Sequence, residues 1–207
     1  MSDSQRLSTK SSGHVSRSST SKRTTSALPK PPVSVHESAI IANHAVLTGH
    51  HTITIMAGAI IHPQAKIYSL HGPVVIDEGC IVYEAATVGI SELEGDHGRG
   101  VMLDKNVVVE SGAVVEAALV GESTVIGTNV KVGFSAVVGK FCHISPGTSL
   151  APGAELADFT VLYGPNSRRP NATLETREKV MQLKKRAHSR QLYTQAKLIP
   201  NNSAKWQ

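Results

Sequence analysis

Of the side chains in this sequence, histidine can take part in the widest range of chemistry, and the chain contains ten histidines. Neutral imidazoles bind Zn²⁺, and a catalytic zinc site needs three protein ligands with one position left for water. His143 is the only histidine in the segment VGFSAVVGKFCHISPG, and His50, His51 and His62 fall elsewhere in the chain. The sequence therefore predicts no metal site. If zinc is bound, these four histidines are its candidate ligands.

His97 is the candidate general base. It follows Asp96 in the Gly-rich stretch GISELEGDHGRG, residues 89–100. A histidine held next to a carboxylate can remove a proton from an attacking amine or hydroxyl group, as acyl transfer requires. The stretch lacks the apolar and aromatic residues that would bind the pantetheine arm of coenzyme A. A solvated loop is the favoured interpretation, and no catalytic residue or cofactor is predicted.

Between Val120 and Leu162 an aliphatic residue recurs at every sixth position, and a small or compact residue follows it by four positions. A period of six is typical of neither a helix nor an ordinary amphipathic strand, and it is the signature of hexapeptide parallel β-helices. Three hexapeptides make one triangular coil, so residues 18 apart stack about 4.8 Å apart. One predicted interior ladder is Val120, Val138 and Leu156, and another is Thr124, Cys142 and Thr160.

The same repeat extends backwards to Val35, interrupted by extra residues near 50–51, near 71–73 and within 89–100. About 20 hexapeptides result, which predicts six to seven coils. The predicted fold class is all-β, a left-handed parallel β-helix with a C-terminal α-helix and a disordered N-terminal tail. The left hand is implied by the resemblance to known hexapeptide proteins. Cys80 and Cys142 occupy inward small positions, which predicts buried free thiols and suits a reducing cytosol.

Charge is distributed unevenly along the chain. The net charge is +5 overall, but residues 35–165 carry −8, residues 1–34 carry +5 and residues 166–207 carry +8. An acidic body with two basic tails favours protein partners or self-contact over a nucleic-acid surface. No nucleic-acid motif with interleaved aromatic residues is visible, and no run of apolar residues is long enough to span a bilayer.

The chain divides into four predicted segments. Residues 1–34 hold 15 Ser/Thr and few apolar residues, which predicts a disordered tail, with a mitochondrial presequence as the alternative. Residues 35–165 form the β-helix with its 89–100 insertion, and residues 166–200 form a helix that packs back on it. Residues 201–207 form a flexible tail. Asn171 or Thr173 is the expected helix cap, and Pro200 ends the helix.

Hexapeptide β-helices are found mostly in acyltransferases and γ-class carbonic anhydrases, and both remain alternatives. From Val35 to about Asn201, however, the chain resembles dynactin subunit 6, a non-enzymatic β-helix family. The likeness is carried by Ile61-His62-Pro63, by Gly72-Pro73 leading into Ile76, by the loop after Val88, by Val161-Leu162-Tyr163-Gly164 with Arg168-Arg169, and by Leu198-Ile199-Pro200-Asn201. The long N-terminal tail and the sequence of the 89–100 loop depart from the family.

The resemblance implies a non-catalytic adaptor in the cytoplasm and cytoskeleton, serving dynein in microtubule-based transport and endomembrane attachment. Its implied partners are dynactin subunits 5 and 4 and the pointed-end actin-related protein, with dynein contacted indirectly and no nucleic acid or inserted membrane. The open ends of a β-helix invite stacking by another subunit, end-on or from the side. Ile41, Val46, Glu92, Glu94 and Asp96 are the predicted partner-binding residues.

Overall fold

The computed structural model describes residues 30–90, 100–164 and 167–206, and within them three parallel sheets wrap one core. The chain visits sheets A, B and C in turn, making six full coils and two sides of a seventh. This left-handed parallel β-helix confirms the predicted fold and coil number. The expectations for residues 1–29, 91–99, 165–166 and 207 lie outside the described residues.

Strands stack in register, one coil on the next. Sheet A contains β1 (Val33–Val35), β4 (Ile53–Ile55), β7 (Val74–Ile76), β10 (Val101–Leu103), β13 (Leu119–Val120), β16 (Val137–Val138) and β19 (Glu155–Leu156). Sheet B contains β2 (Ile40–Ile41), β5 (Ile60–Ile61), β8 (Ile81–Val82), β11 (Val108–Val109), β14 (Val125–Ile126), β17 (His143–Ile144), β20 (Thr160–Leu162) and β21 (Arg168–Pro170). Sheet C contains β3 (Val46–Gly49), β6 (Lys66–Ser69), β9 (Thr87–Ile90), β12 (Val114–Val115), β15 (Lys131–Val132) and β18 (Ser149–Leu150).

The core is built from the positions that the six-residue repeat selects. Val120, Val138 and Leu156 pair directly across successive coils, as predicted. In the second ladder, the hydroxyl of Thr124 accepts a hydrogen bond from the Cys142 backbone N–H at 3.1 Å. Cys80 is a buried free thiol like Cys142, as expected, and burial raises the pKa of the Cys80 thiol to about 12. Each coil therefore buries its aliphatic face only by stacking on its neighbours.

Length variation is confined to one corner. The extra residues near 50–51, 71–73 and 91–99 all fall between sheets C and A, after the four-residue strands β3, β6 and β9. Neighbouring coils approach closely at the strand ends that lead into this corner. At Gly89, with φ of +103°, a Cβ would overlap the carbonyl of Tyr68. Because a corner lies outside the paired strands, an insertion there leaves the register of all three sheets intact.

The C-terminal helices return along the outside of the solenoid. Asn171 caps α1 (Ala172–Thr176), as predicted, by accepting a hydrogen bond from the Leu174 N–H. The extended residue Arg177 then separates α1 from α2 (Glu178–Leu198). No helix in the described part of the chain combines the length and the apolarity needed to cross a bilayer.

The face of α2 that contacts the solenoid is largely polar, although Leu192 also lies against Gly79. Lys184 Nζ donates to the carbonyl of Ser123 at 2.7 Å, and His188 Nε2 lies 2.7 Å from the carbonyl of Gly79. By contrast, Leu183 and Tyr193 are 61% and 64% exposed, so these two large side chains do not pack on the solenoid. The reason is that the solenoid presents corner carbonyl groups to this helix, and cationic and N–H donor side chains match them.

Both ends of sheet B are covered. Strand β21 pairs antiparallel with β20 at the C-terminal end. At the N-terminal end, Asn201 accepts from the Ile41 N–H and donates to the carbonyl of Ala39, both at 3.2 Å. Asn202 N–H donates to the carbonyl of Ile41 at 2.8 Å, and Trp206 packs against the core. Residues 201–206, which include a 3-10 helix at Ser203–Lys205, thus close an end that the sequence suggested was open.

Candidate functional site

A polar cluster lies where sheet B turns into sheet C, beneath the C-terminal half of α2. His62 follows β5, and Tyr83 follows β8 one coil further on, because Ile61 pairs with Val82. The turn that follows needs left-handed backbone at Gln64 and Ala85, with φ of +62° and +56°. Stacked turns of one shape therefore place His62, Tyr83 and the next residue, Glu84, side by side.

His62 is 6% exposed and both of its ring nitrogens face oxygen atoms. Nδ1 lies 2.6 Å from Glu84 Oε1, and Nε2 lies 3.4 Å from Gln195 Oε1 on α2. The imidazole also packs on the Tyr83 ring, with ring centroids 4.5 Å apart. A histidine whose Nδ1–H donates to a carboxylate is fixed in the tautomer that leaves Nε2 as a base. When both nitrogens are protonated, both oxygen contacts are satisfied.

Glu84 is held in its ionised form. Partial burial opposes the charge, but hydrogen bonds from His62, the Glu84 backbone N–H and Ser111, with the attraction of His62, hold the pKa of this carboxyl below its usual value. The Glu84 side chain is 50% exposed, whereas that of His62 is 8% exposed. The pair therefore consists of a sheltered imidazole and a carboxylate that reaches solvent.

Helix α2 forms a lid on this cluster. Gln191 and Gln195 each donate a side-chain N–H to the Tyr83 hydroxyl at 2.6 Å. An open groove of about 240 Å³ continues from there, lined by Tyr83, Val108, Glu110, Ser111, Thr128 and Gln191. The same contacts fasten α2 to the solenoid, so the cluster has a structural role whatever else it does.

A larger groove of about 600 Å³ lies at the C-terminal end, between β19 and β21. Charged side chains line it, among them Glu155, Asp158, Arg168 and Arg169. No hydrogen-bonded histidine and carboxylate pair faces this groove among the residues that line it. The His62 cluster is therefore the better candidate for proton-transfer chemistry.

The other histidines proposed as zinc ligands lie on parts of the fold different from the corner that holds this cluster. His50 and His51 are exposed at the corner between sheets C and A, and His143 is half-buried on β17 of sheet B. Within residues 30–90, 100–164 and 167–206, no group of three or more His, Cys, Asp or Glu side chains is placed to hold a metal ion. The γ-carbonic-anhydrase alternative gains no ligand set from this part of the chain.

The predicted partner-binding residues differ in how far they are buried and in whether the structure describes them. Ile41 is fully buried, and its backbone N–H and C=O are bonded to Asn201 and Asn202. Val46 is half-buried at the start of β3. Glu92, Glu94 and Asp96, with the candidate base His97, lie outside the described residues. Their roles stay predictions.

The pairing of His62 with Glu84 was missed by sequence reasoning, which considered His62 only as a possible zinc ligand. The signal that could have found it is the register. Aligning Ile61 with Val82 puts Tyr83 over His62, with Glu84 one position beyond. The sequence contains no comparable signal for Gln195, which reaches His62 from 133 residues away.

No protein-family model matches this chain, and no curated protein does. Solved structures share its fold. A hexapeptide transferase family protein from Anaplasma phagocytophilum is 15% identical over 78% of this chain and 90% of its own, with a TM-score of 0.56. A Bacillus cereus protein described as an acetyltransferase is 16% identical over 80% and 92% of the two chains, with a TM-score of 0.53.

These comparisons contradict the expectation of a dynactin subunit. No match to a curated protein supports that resemblance, and the structures of the same fold are described as transferases. The accompanying expectation of a non-catalytic adaptor in dynein-based transport is wrong for the same reason. At these identities the likeness establishes the fold. The partners and the cellular location named for that role are untested.

Proposed function

We propose that this chain is an acyltransferase of the hexapeptide class, with His62 as the general base and Glu84 as the carboxylate that orients it. The observation that carries the proposal is the 2.6 Å contact between His62 Nδ1 and Glu84 Oε1. The transferase descriptions of two structures with the same fold support it. This proposal assigns the base to His62 in place of the candidate His97.

The reaction assigned to the site is transfer of an acyl group from a coenzyme A thioester to an amine or hydroxyl group. The acceptor attacks the thioester carbonyl carbon while its proton passes to His62 Nε2. The C–S bond then breaks, and the proton on Nε2 leaves with the thiolate as free coenzyme A. Glu84 stabilises the imidazolium that forms between these two steps.

Access to Nε2 requires the Gln195 side chain to move. Its Oε1 occupies the direction from which an acceptor would approach, at a distance longer than a good hydrogen bond. When Gln195 moves away, the Tyr83 hydroxyl keeps its hydrogen bond from Gln191, so no buried oxygen loses all its partners. The nearby groove begins at Tyr83 and Gln191, the neighbours of His62 and Gln195, and its Ser111, Thr128 and Glu110 offer hydroxyl and carboxylate groups to a polar acceptor.

The test is calorimetric titration of the chain with acetyl-coenzyme A, followed by a thiol-release assay with amino-sugar and polyamine acceptors. We expect binding, and we expect His62→Gln to lower turnover by about 100-fold or more, since a general base contributes roughly 10²–10⁴. Glu84→Gln should lower turnover less and shift its pH profile. Glu78→Gln is the matched control, because Glu78 is another surface carboxylate, paired with Lys105.

Folding must be monitored in the same variants, since His62 also contacts α2. The far-UV circular dichroism and the melting temperature of His62→Gln should stay near those of the wild-type chain. Two results overturn the proposal: no binding of acetyl-coenzyme A at millimolar concentration, or wild-type turnover in a folded His62→Gln variant.

A further inference from the structure

The side of α2 that faces away from the solenoid carries charge of one sign. Lys184, His188 and Gln195 contact the solenoid, so residues half a turn away from them point outward. Six exposed residues, spaced alternately four and three apart, form one straight stripe on that outward side, about 27 Å long. We name this stripe the cationic ridge, and its members are Lys179, Leu183, Arg186, Arg190, Tyr193 and Lys197.

The four cations of the ridge have no carboxylate partner among the residues that the structure describes, because the ion pairs there all join other side chains. Arg186 and Arg190 lie four residues apart, a spacing at which like charges destabilise a helix. From Lys179 to Gln207 the sequence contains seven Lys and Arg and no Asp or Glu. The ridge therefore keeps positive charge that the fold does not neutralise, and a partner with negative charge would relieve the repulsion.

Exposed apolar side chains accompany these cations. Leu198, Tyr193 and Leu183, at 74%, 64% and 61%, are the most exposed large apolar residues in the described part of the chain, and all three belong to α2. Lys197 Nζ lies 4.1 Å from the centroid of the Tyr193 ring, so a cation and an aromatic side chain share one place on the ridge. A shallow groove of about 360 Å³ adjoins Leu183 and is lined by two arginines and an alanine. The ridge therefore offers positive charge and apolar contact along the same line.

The shape and the chemistry of the ridge together favour one kind of partner. Because α2 lies on the outside of the solenoid, its outward side is convex and has no walls that would enclose an acidic peptide. A nucleic acid would neutralise the cations, but its phosphate backbone provides no apolar layer for Leu183 and Tyr193. An anionic lipid surface satisfies both requirements, because Lys and Arg side chains reach the headgroups while Leu and Tyr enter the boundary with the acyl chains.

We infer that the cationic ridge binds an anionic lipid surface, with α2 lying in the plane of the interface. Charge on the rest of the chain orients the molecule in the same way, since residues 35–165 carry a net charge of −8 and are repelled by such a surface. The contact uses only the outward side of α2, and His62 lies against the other side through Gln195. Lipid binding therefore does not depend on the proposed acyl transfer.

The first experiment is sedimentation of the full chain with large vesicles in about 0.1 M salt. We expect binding to phosphatidylcholine vesicles that contain about 30% phosphatidylserine, and little binding to phosphatidylcholine alone. Arg186→Gln with Arg190→Gln should lower the partition coefficient about tenfold or more, since each Lys or Arg near such a surface contributes about a factor of five. Lys66→Gln with Lys131→Gln is the matched control, because it removes the same charge from exposed positions on sheet C.

The second experiment tests whether α2 is the element that meets the lipid. Tyr193→Trp adds a tryptophan to the ridge, and the wild-type chain, whose one tryptophan is Trp206, gives the background signal. On the anionic vesicles the added emission should shift to shorter wavelength, and lipids with brominated acyl chains should quench it. Three results overturn the inference: no binding to the anionic vesicles, equal effects of the two double variants, or tighter binding to a DNA duplex than to these vesicles. An added tryptophan that stays unquenched on bound protein refutes docking through α2.

Discussion

Replacement of Asn201 by alanine tests whether residues 201–206 close the N-terminal end of the solenoid. The Asn201 side chain makes three hydrogen bonds, to the Ile41 N–H at 3.2 Å, to the carbonyl of Ala39 at 3.2 Å and to the Ser203 N–H at 2.9 Å. Ile41 and Ala39 are fully buried, so two backbone groups of the first coil lose their partners in Asn201→Ala.

The magnitude follows from these contacts. A net contribution of about 1 kcal/mol per hydrogen bond gives a loss of roughly 2–3 kcal/mol, with water replacing part of it at the end of the solenoid. For a chain of this size, that loss corresponds to a fall of about 4–12 °C in melting temperature. Asn202→Ala is the matched control, because Asn202 bonds Ile41 through its backbone N–H. It should change stability by less than about 0.5 kcal/mol.

Two assays measure the effect. Urea denaturation followed by far-UV circular dichroism gives the change in unfolding free energy. Amide hydrogen exchange then locates it, since each coil of a solenoid contacts only its neighbours. Exchange should accelerate at Ile41 and Val46 in the first coil and stay unchanged at Val125 and Val137 in later coils. Equal losses in Asn201→Ala and Asn202→Ala, or faster exchange along the whole solenoid, would refute the reasoning.

Two further predictions concern the contact between α2 and the solenoid. Burial holds the pKa of His188 below its usual value, so protonation of this imidazole favours the unfolded chain. The stability that neutral His188 contributes is therefore lost as the pH falls through the unfolded pKa, about 6.5, towards the lower folded pKa. His188→Gln should therefore reduce the loss of stability between pH 7 and pH 5 in thermal melts, whereas the exposed control His50→Gln should not. Lys184→Met should cost about 1–2 kcal/mol in urea denaturation because it removes the hydrogen bond to the Ser123 carbonyl, whereas Lys185→Met breaks a surface pair with Glu122 and should cost less than about 1 kcal/mol. Equal losses of unfolding free energy in the two lysine variants would refute the reasoning that the more buried Lys184 contributes more to stability than Lys185.

The predictable part of the fold is the part encoded in local spacing. Val120, Val138 and Leu156 could be placed in one ladder because a fixed period converts sequence distance directly into stacking. The covering of Ile41 by Asn201 could not, because it joins residues 160 apart with no period between them. The polar docking of α2 was equally hidden, since Lys184 and His188 bond to backbone carbonyls, which every sequence possesses.

The same reasoning explains why the loop after Val88 was a poor guide to the family. An insertion at the corner between sheets C and A changes no pairing, so its position records what the solenoid tolerates and carries little information about descent. Between the described strands of the solenoid, the insertions fall at that one corner, after β3, β6 and β9. Residues at that corner can vary while the stacked core stays in register. The sequence at this corner can therefore change without disturbing His62 and Glu84, which belong to a different corner of the coil.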